Sequence, residues 1–185
     1  MTFRAFIAVD LPTIPSVVSL AEDLRRASEG LKVVSPEHLH LTLKFLGDTE
    51  EGLVPEILGI MREACAGTAP FEIRVRGTGA FPSLSRMSVL WLGIEGAEPL
   101  ARIAKSLDEH LEPLGFAPEK RPWTAHLTLA RMKGGRGPDR ARALLEAHRD
   151  DLFGEHRVDE IRLKRSVLTP QGPAYSTVEA VRLDG

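Results

Sequence analysis

His40-Leu41-Thr42-Leu43 recurs as His126-Leu127-Thr128-Leu129, so each half of a chain of 185 residues carries one imidazole and one hydroxyl at the same spacing. Two imidazoles brought to one place make an acid/base pair. An ordinary histidine pKa of about 6.5 lets one ring be protonated while the other is neutral near pH 7. On a strand, side chains two apart share a face, about 6 to 7 Å from each other. His40 and Thr42 would therefore point one way, as would His126 and Thr128, while the intervening leucines enter a core behind them. Two such pairs lining one cleft suit a phosphodiester. They offer a base for an attacking water, an acid for the leaving oxygen opposite, and hydroxyl donors for the non-bridging oxygens. That chemistry needs no metal.

The elements that must position these motifs follow one order twice. Phe3 to Asp10 reads as a strand, and Thr13 as the cap of a helix with Val17, Leu20, Ala21, Leu24 and Ala27 at helical spacing, ended by Gly30. A strand from His38 to Leu46 turns at Gly47-Asp48. A helix with Val54, Ile57, Leu58, Met61 and Cys65 comes next, then an extended stretch from Phe71 to Phe81. The second pass opens with a strand from Ser88 to Glu95. Its helix, with Leu100, Ile103, Ala104, Leu107, Leu111 and Leu114, stops at Gly115. The second motif strand follows, then a helix with Leu144, Leu145 and Leu152 and a strand from Val158 to Leu168. The expected architecture is α+β: a bilobal, pseudo-symmetric duplication with two antiparallel-rich sheets flanking a central cleft and helices on the outer faces. Residues 1–185 form one bilobal domain of two related units, about 3–82 and 87–168, with a terminal strand over about 174–183. The crossing between units falls at Pro82-Ser83-Leu84-Ser85.

With 43% hydrophobic and 27% charged residues the chain has material for a core, and disorder is not the reading. A net charge of -2 argues against a nucleic-acid coat, although a balanced total can hide a local basic groove. The single cysteine, Cys65, excludes an internal disulfide and reads as a buried apolar residue. No apolar run approaches the roughly 20 residues that span a bilayer, and Met1-Thr2-Phe3-Arg4-Ala5-Phe6 lacks a signal-peptide layout. A cytoplasmic monomer is expected.

The paired His-x-Thr-x motifs, the opening Phe3-Arg4-Ala5-Phe6-Ile7-Ala8, the segment Leu43-Lys44-Phe45-Leu46-Gly47-Asp48 and Leu129-Ala130-Arg131 resemble the 2H phosphoesterases. Within them the best match is the RNA 2′,3′-cyclic phosphodiesterase branch, also called 2′-5′ RNA ligase. The resemblance covers nearly the whole chain. It implies a bilobal α+β fold and metal-independent opening of a 2′,3′-cyclic phosphate on RNA ends or nucleotides to a 2′-phosphate, without a cofactor. It also implies His40 as proton donor to the departing 3′ oxygen, His126 as proton acceptor from water, and Thr42 and Thr128 on the phosphate. Pseudo-symmetry alone would allow the reverse acid/base order. Ligation through a 2′-5′ linkage, the reverse reaction, is a secondary expectation. A phosphoesterase on another cyclic phosphate, such as an ADP-ribose derivative, and a module that holds RNA ends without turnover are the competing readings.

Arg131 stands five residues after His126, and Phe45 five after His40, so strict alternation places both on the face away from the histidines. The strands must end or bend there if, as the resemblance implies, Arg131 approaches the phosphate or ribose and Phe45 stacks on a base. A surface arginine and a core phenylalanine are the alternatives. Lys44 falls on the His40 face by alternation, with a solvated strand end as its other reading. Arg4 is a weaker candidate. His38 forms His-x-His with His40, a zinc-like spacing, but Thr124 occupies the equivalent place before His126 and no cysteine is near. His110 on a helix, His148 on an apolar stripe and His156 in a polar loop read as structural, and Trp91 and Trp123 as core or cleft wall. Gly134-Gly135-Arg136-Gly137 reads as a mobile connection that lacks the setting of a nucleotide loop.

Overall fold

The computed structural model of the protein describes residues 1–133 and 137–185. The expected mobile connection falls on Gly134, Gly135 and Arg136, which lie outside the described residues. The elements run β1 (Thr2–Asp10), α1 (Pro15–Ala27), β2 (Lys32–Val33), β3 (His40–Glu50), α2 (Val54–Cys65), β4 (Phe71–Ser83), β5 (Arg86–Glu95), α3 (Glu98–Leu111), β6 (His126–Arg131), α4 (Asp139–Ala147), β7 (Leu152–Val158), β8 (Glu160–Thr169) and β9 (Gly172–Arg182). The strands form two antiparallel sheets, β3-β1-β8-β9 and β2-β6-β5-β4-β7. Helices α2 and α3 pack together on the first sheet, and α1 and α4 on the second. The α+β class with two antiparallel sheets is therefore as expected.

The helices bury the residues that their spacing marks: Val17, Leu20, Ala21 and Leu24 on α1, Ile57, Leu58, Met61 and Cys65 on α2, and Leu100, Ile103, Ala104, Leu107 and Leu111 on α3. A short 3₁₀ turn carries the chain on from α3 to Gly115, whose φ of 93° suits a residue without a Cβ. Thr13 does not cap α1. The helix starts instead at Pro15, whose fixed φ is already helical, and Ile14 makes no side-chain cap.

Several boundaries differ from expectation. His38 belongs to a 3₁₀ turn, Pro36–His38, and β3 begins only at His40. No turn forms at Gly47-Asp48, because Gly47 takes a φ of 71° within β3 and the strand runs on past a register shift to Glu50. Leu152 lies beyond α4 and opens β7, an edge strand that carries His156. Residues Pro82 to Ser85 are no crossing: they turn β4 back onto β5 in the same sheet.

That hairpin makes the sheets cut across the two sequence units. Strand β4, from the first unit, pairs with β5 and β7 of the second, while β8, from the second, pairs with β1 of the first. Reading β3-β1-β8-β9 against β6-β5-β4-β7 matches first motif strand to second, opening strand to opening strand, and exchanged strand to exchanged strand. Strands β3 and β6 share no ladder, yet approach within 8 Å, Cα to Cα. The two motifs thus meet where the sheets face each other.

Candidate active site

Both motifs carry the same bulge. In β3, Ala8 pairs with Thr42 and Ile7 with Lys44, so Leu43 is the extra residue. In β6, Trp91 pairs with Thr128 and Leu90 with Ala130, so Leu129 is. One extra residue reverses the phase of alternation. Before the bulge His40 and Thr42 are half-buried and Leu41 is buried; after it Leu43 and Lys44 are both buried and Phe45 is 63% exposed. The second strand repeats the pattern, with Leu129 and Ala130 buried and Arg131 exposed. The bend that the spacing demanded is therefore built into each strand. It returns Phe45 and Arg131 to the histidine side.

One cavity of about 310 Å³ is lined by His40, Thr42, Phe45, His126, Thr128 and Arg131 together. His40 Nδ1 lies 2.8 Å from the carbonyl oxygen of His38, and His126 Nδ1 lies 2.9 Å from that of Thr124. A carbonyl only accepts, so each Nδ1 carries the proton and donates it, leaving Nε2 at the other edge of the ring as the lone-pair or exchangeable-proton position. Neither Nε2, nor the hydroxyl of Thr42 or Thr128, bonds to any described residue. The His38 ring is a separate matter: it lines the cavity and meets Tyr175 edge-on at 6.0 Å, and the bond to His40 comes from its backbone. His38 supplies its carbonyl to orient His40, as Thr124 does for His126, and among the described residues no three His, Cys, Asp or Glu side chains converge as metal ligands.

Aromatic rings hold both imidazoles. Phe6 and Tyr175 stand 5.1 and 5.2 Å from His40, the latter edge-on, and Phe81 meets His126 edge-on at 5.3 Å. Burial among them pushes the His40 pKa below its ordinary value, outweighing the His38 carbonyl and the Asp10 carboxylate, which favour the charged ring. Burial also raises the Tyr175 phenol. Sequence reading missed Tyr175, Phe6 and Phe81. Phe6 lies in the opening segment that carries the family resemblance, and Tyr175 is the one tyrosine in the chain, a weak signal; Phe81 had none.

Lys44 contributes to the cavity wall, yet its side chain does not extend into the cleft, because the bulge turns it inward. Its side chain is fully buried, with Nζ 2.5 Å from Asp108 Oδ1 on α3 and 2.6 Å from the Ala117 carbonyl oxygen. Burial alone would raise the Asp108 carboxyl, but hydrogen bonds from Lys44 and from the Glu119 backbone N–H hold it below the usual range. This cluster pins the segment leading to His126 against β3. Trp123 adds a second pin, donating Nε1–H to the Thr42 carbonyl oxygen at 2.8 Å, and it is cleft wall as expected. Trp91 lies beneath Gly79, where a Cβ would strike its ring. His110 bonds within its own helix, His148 follows α4 and pairs with Asp151, and His156 is on β7; none lines the cavity.

A family model for the 2′-5′ RNA ligase superfamily matches residues 14–167. A protein of Methanothermobacter thermautotrophicus named RNA 2′,3′-cyclic phosphodiesterase is 43% identical over 185 residues, covering 99% of this chain and all of that one. One of the same name from Aquifex aeolicus is 35% identical, covering 98% of each chain. Among solved structures, TT0787 of Thermus thermophilus superposes with a TM-score of 0.80 at 34% identity, covering 97% of both chains. Escherichia coli LigT complexed with 3′-AMP shares the fold, with a TM-score of 0.76 at 22% identity and full coverage of both. With a relative 43% identical over nearly the whole of both chains and a family match over most of its residues, this chain belongs to the 2′-5′ RNA ligase superfamily of 2H phosphoesterases.

Proposed function

We propose that this chain hydrolyses RNA 2′,3′-cyclic phosphate ends to 2′-phosphate ends by paired histidine catalysis. The observation that carries this is the matched presentation of two imidazoles, each locked through Nδ1 to the carbonyl two residues upstream, in one cavity with two unclaimed threonine hydroxyls. The relatives named RNA 2′,3′-cyclic phosphodiesterase support the choice of substrate.

In this reading the cyclic phosphate sits between β3 and β6, with Thr42 and Thr128 donating to its non-bridging oxygens. His126 Nε2 takes a proton from water as the water oxygen bonds to phosphorus. The bond from phosphorus to O3′ breaks, and His40 Nε2–H delivers its proton to that oxygen. The products are a 2′-phosphate and a free 3′ hydroxyl. Arg131 faces the growing negative charge, and Phe45 offers a face to the terminal base. All these groups come from one chain, so a monomer suffices. A single buried thiol, Cys65, pushed up to about 12 by burial, suits a reducing cytoplasm.

The test is incubation of the protein in EDTA with an oligoribonucleotide ending in a 2′,3′-cyclic phosphate, followed by mapping of the product end. A 2′-phosphate is expected. Unchanged substrate beside an active control enzyme overturns the function, and a 3′-phosphate overturns the regiochemistry.

A further inference from the structure

Beside the cleft, past Phe45 and Tyr175, lies a second hollow of about 330 Å³ on the four-stranded sheet. It shares His40, Phe45 and Tyr175 with the catalytic cavity, so the two hollows adjoin across these side chains, and it adds Arg4, Ser166 and Leu168. Arg4 is exposed and stands across from Asp48 on β3 and Ser166 on β8, yet it forms no ion pair with any described residue. On the same sheet Arg162 is held by Asp10 and Glu160, and Arg165 by Glu51, while Arg182 forms no ion pair with any described residue but does not line the hollow. Phe45 and Leu168, at 63% and 71% exposure, are the most exposed large apolar residues after Met1. A free guanidinium beside an uncovered apolar shelf is the combination that one nucleotide step needs, with the phosphodiester on the cation and the base on the shelf.

We propose that this hollow is a subsite for the nucleotide one step 5′ of the cyclic-phosphate terminus, with Arg4 on the linking phosphodiester and Leu168 and the outer edge of Phe45 beneath the base. The proposal rests on the reading of function above and specifies its substrate class: RNA ends rather than free cyclic mononucleotides. The strand geometry agrees. Thr42 pairs with Ala8, and Arg4 stands four residues along the same strand, about 13 Å at 3.3 Å per residue, a gap that an arginine side chain and one nucleotide together span. A cyclic mononucleotide would fill the first hollow and leave the second empty.

The experiment compares kcat/KM for a 2′,3′-cyclic mononucleotide with that for a dinucleotide ending in the same cyclic nucleotide, using wild type, Arg4→Gln and Leu168→Asp. Wild type should favour the dinucleotide by about tenfold, the scale of one charge-assisted contact, and the advantage should shrink as salt rises. Each substitution should bring the ratio of the two substrates down about fivefold or more, chiefly through a higher KM for the dinucleotide. Both positions are exposed, and melting temperatures within a few degrees of wild type establish that the variants are folded. Equal kcat/KM for the two substrates in wild type overturns the subsite, as does a ratio that neither substitution lowers. A wild-type protein that opens neither ring overturns the functional reading itself, and the mononucleotide arm separates that failure from failure of the subsite.

Discussion

With Nδ1–H donated to the His38 carbonyl, a neutral His40 ring presents its lone pair at Nε2, and only protonation there makes it an acid. Burial works against that protonation in the free protein, and a bound phosphate anion works for it. The His40 ring should therefore titrate below its ordinary value of about 6.5 by NMR, and inorganic phosphate should move its titration upward. A titration indifferent to phosphate would remove His40 from the anion site. The same shift bears on stability. A folded-state pKa below the unfolded value means that the unfolded chain binds the extra proton, so stability is full above about pH 6.5 and is lost as pH falls through the folded value. His40→Gln should flatten the fall of melting temperature in that window relative to wild type; His156, lowered in the same direction by burial, is present in both proteins and cancels. For turnover, His40→Ala and His126→Ala should each cost about 10²- to 10⁴-fold while circular dichroism is unchanged. Thr42→Val and Thr128→Val should cost less, about 1 to 3 kcal/mol of transition-state stabilisation, since each removes one neutral donor.

The paired bulges are the elements on which the site depends, and only half of each was legible in the residues. Alternation along His40 to Leu43 is plain, and a reversal of phase before Phe45 follows only from the expectation, drawn from the family resemblance, that Phe45 and Arg131 approach the substrate. Nothing in Leu43 or Leu129 marks either as the extra residue, because a bulge is decided by the partner strand's register. Lys44 was misplaced for this reason, and its ion pair with Asp108 was invisible because that partner lies on α3, far along the chain. Strand β7 was missed on different grounds. It is an edge strand whose residues are mostly not buried, so its hydrophobic alternation is faint. The Lys44 cluster has a measurable role of its own. Lys44→Met strands a carboxylate and should cost about 3 kcal/mol of stability, the low end for a buried pair because Asp108 keeps 23% exposure. Adding Asp108→Leu should recover much of that stability, yet kcat should stay depressed, because the Ala117 carbonyl and the Glu119 N–H would still lack their partners and the approach to His126 would loosen. Recovery of kcat together with stability would make the cluster purely structural.

At the scale of the molecule, duplication alone would let each half fold on itself, and the exchange of β4 and β8 removes that option. Each sheet is incomplete without a strand from the other unit, and each helix pair draws one member from each: α1 with α4, and α2 with α3. Buried residues from both sheets, Ile7 and Leu41 in one and Leu92 and Leu127 in the other, belong to one continuous hydrophobic cluster. An interface of that kind couples the unfolding of one sheet to that of the other, and it also fixes β3 against β6, where the proposed reaction requires the two imidazoles to hold their separation. Calorimetric unfolding should then show one transition whose calorimetric and van't Hoff enthalpies agree, with loss of activity on the same curve. Residues 1–84 and 85–185, expressed as separate chains, should each fail to show a cooperative transition, because β4 would lose both its partners, β5 and β7, and β8 would lose β1. Two resolved transitions in the intact chain, or a half that melts cooperatively alone, would mean that the lobes are independent and that the spacing of His40 and His126 is set by the cleft-spanning contacts of Trp123 and Lys44 alone.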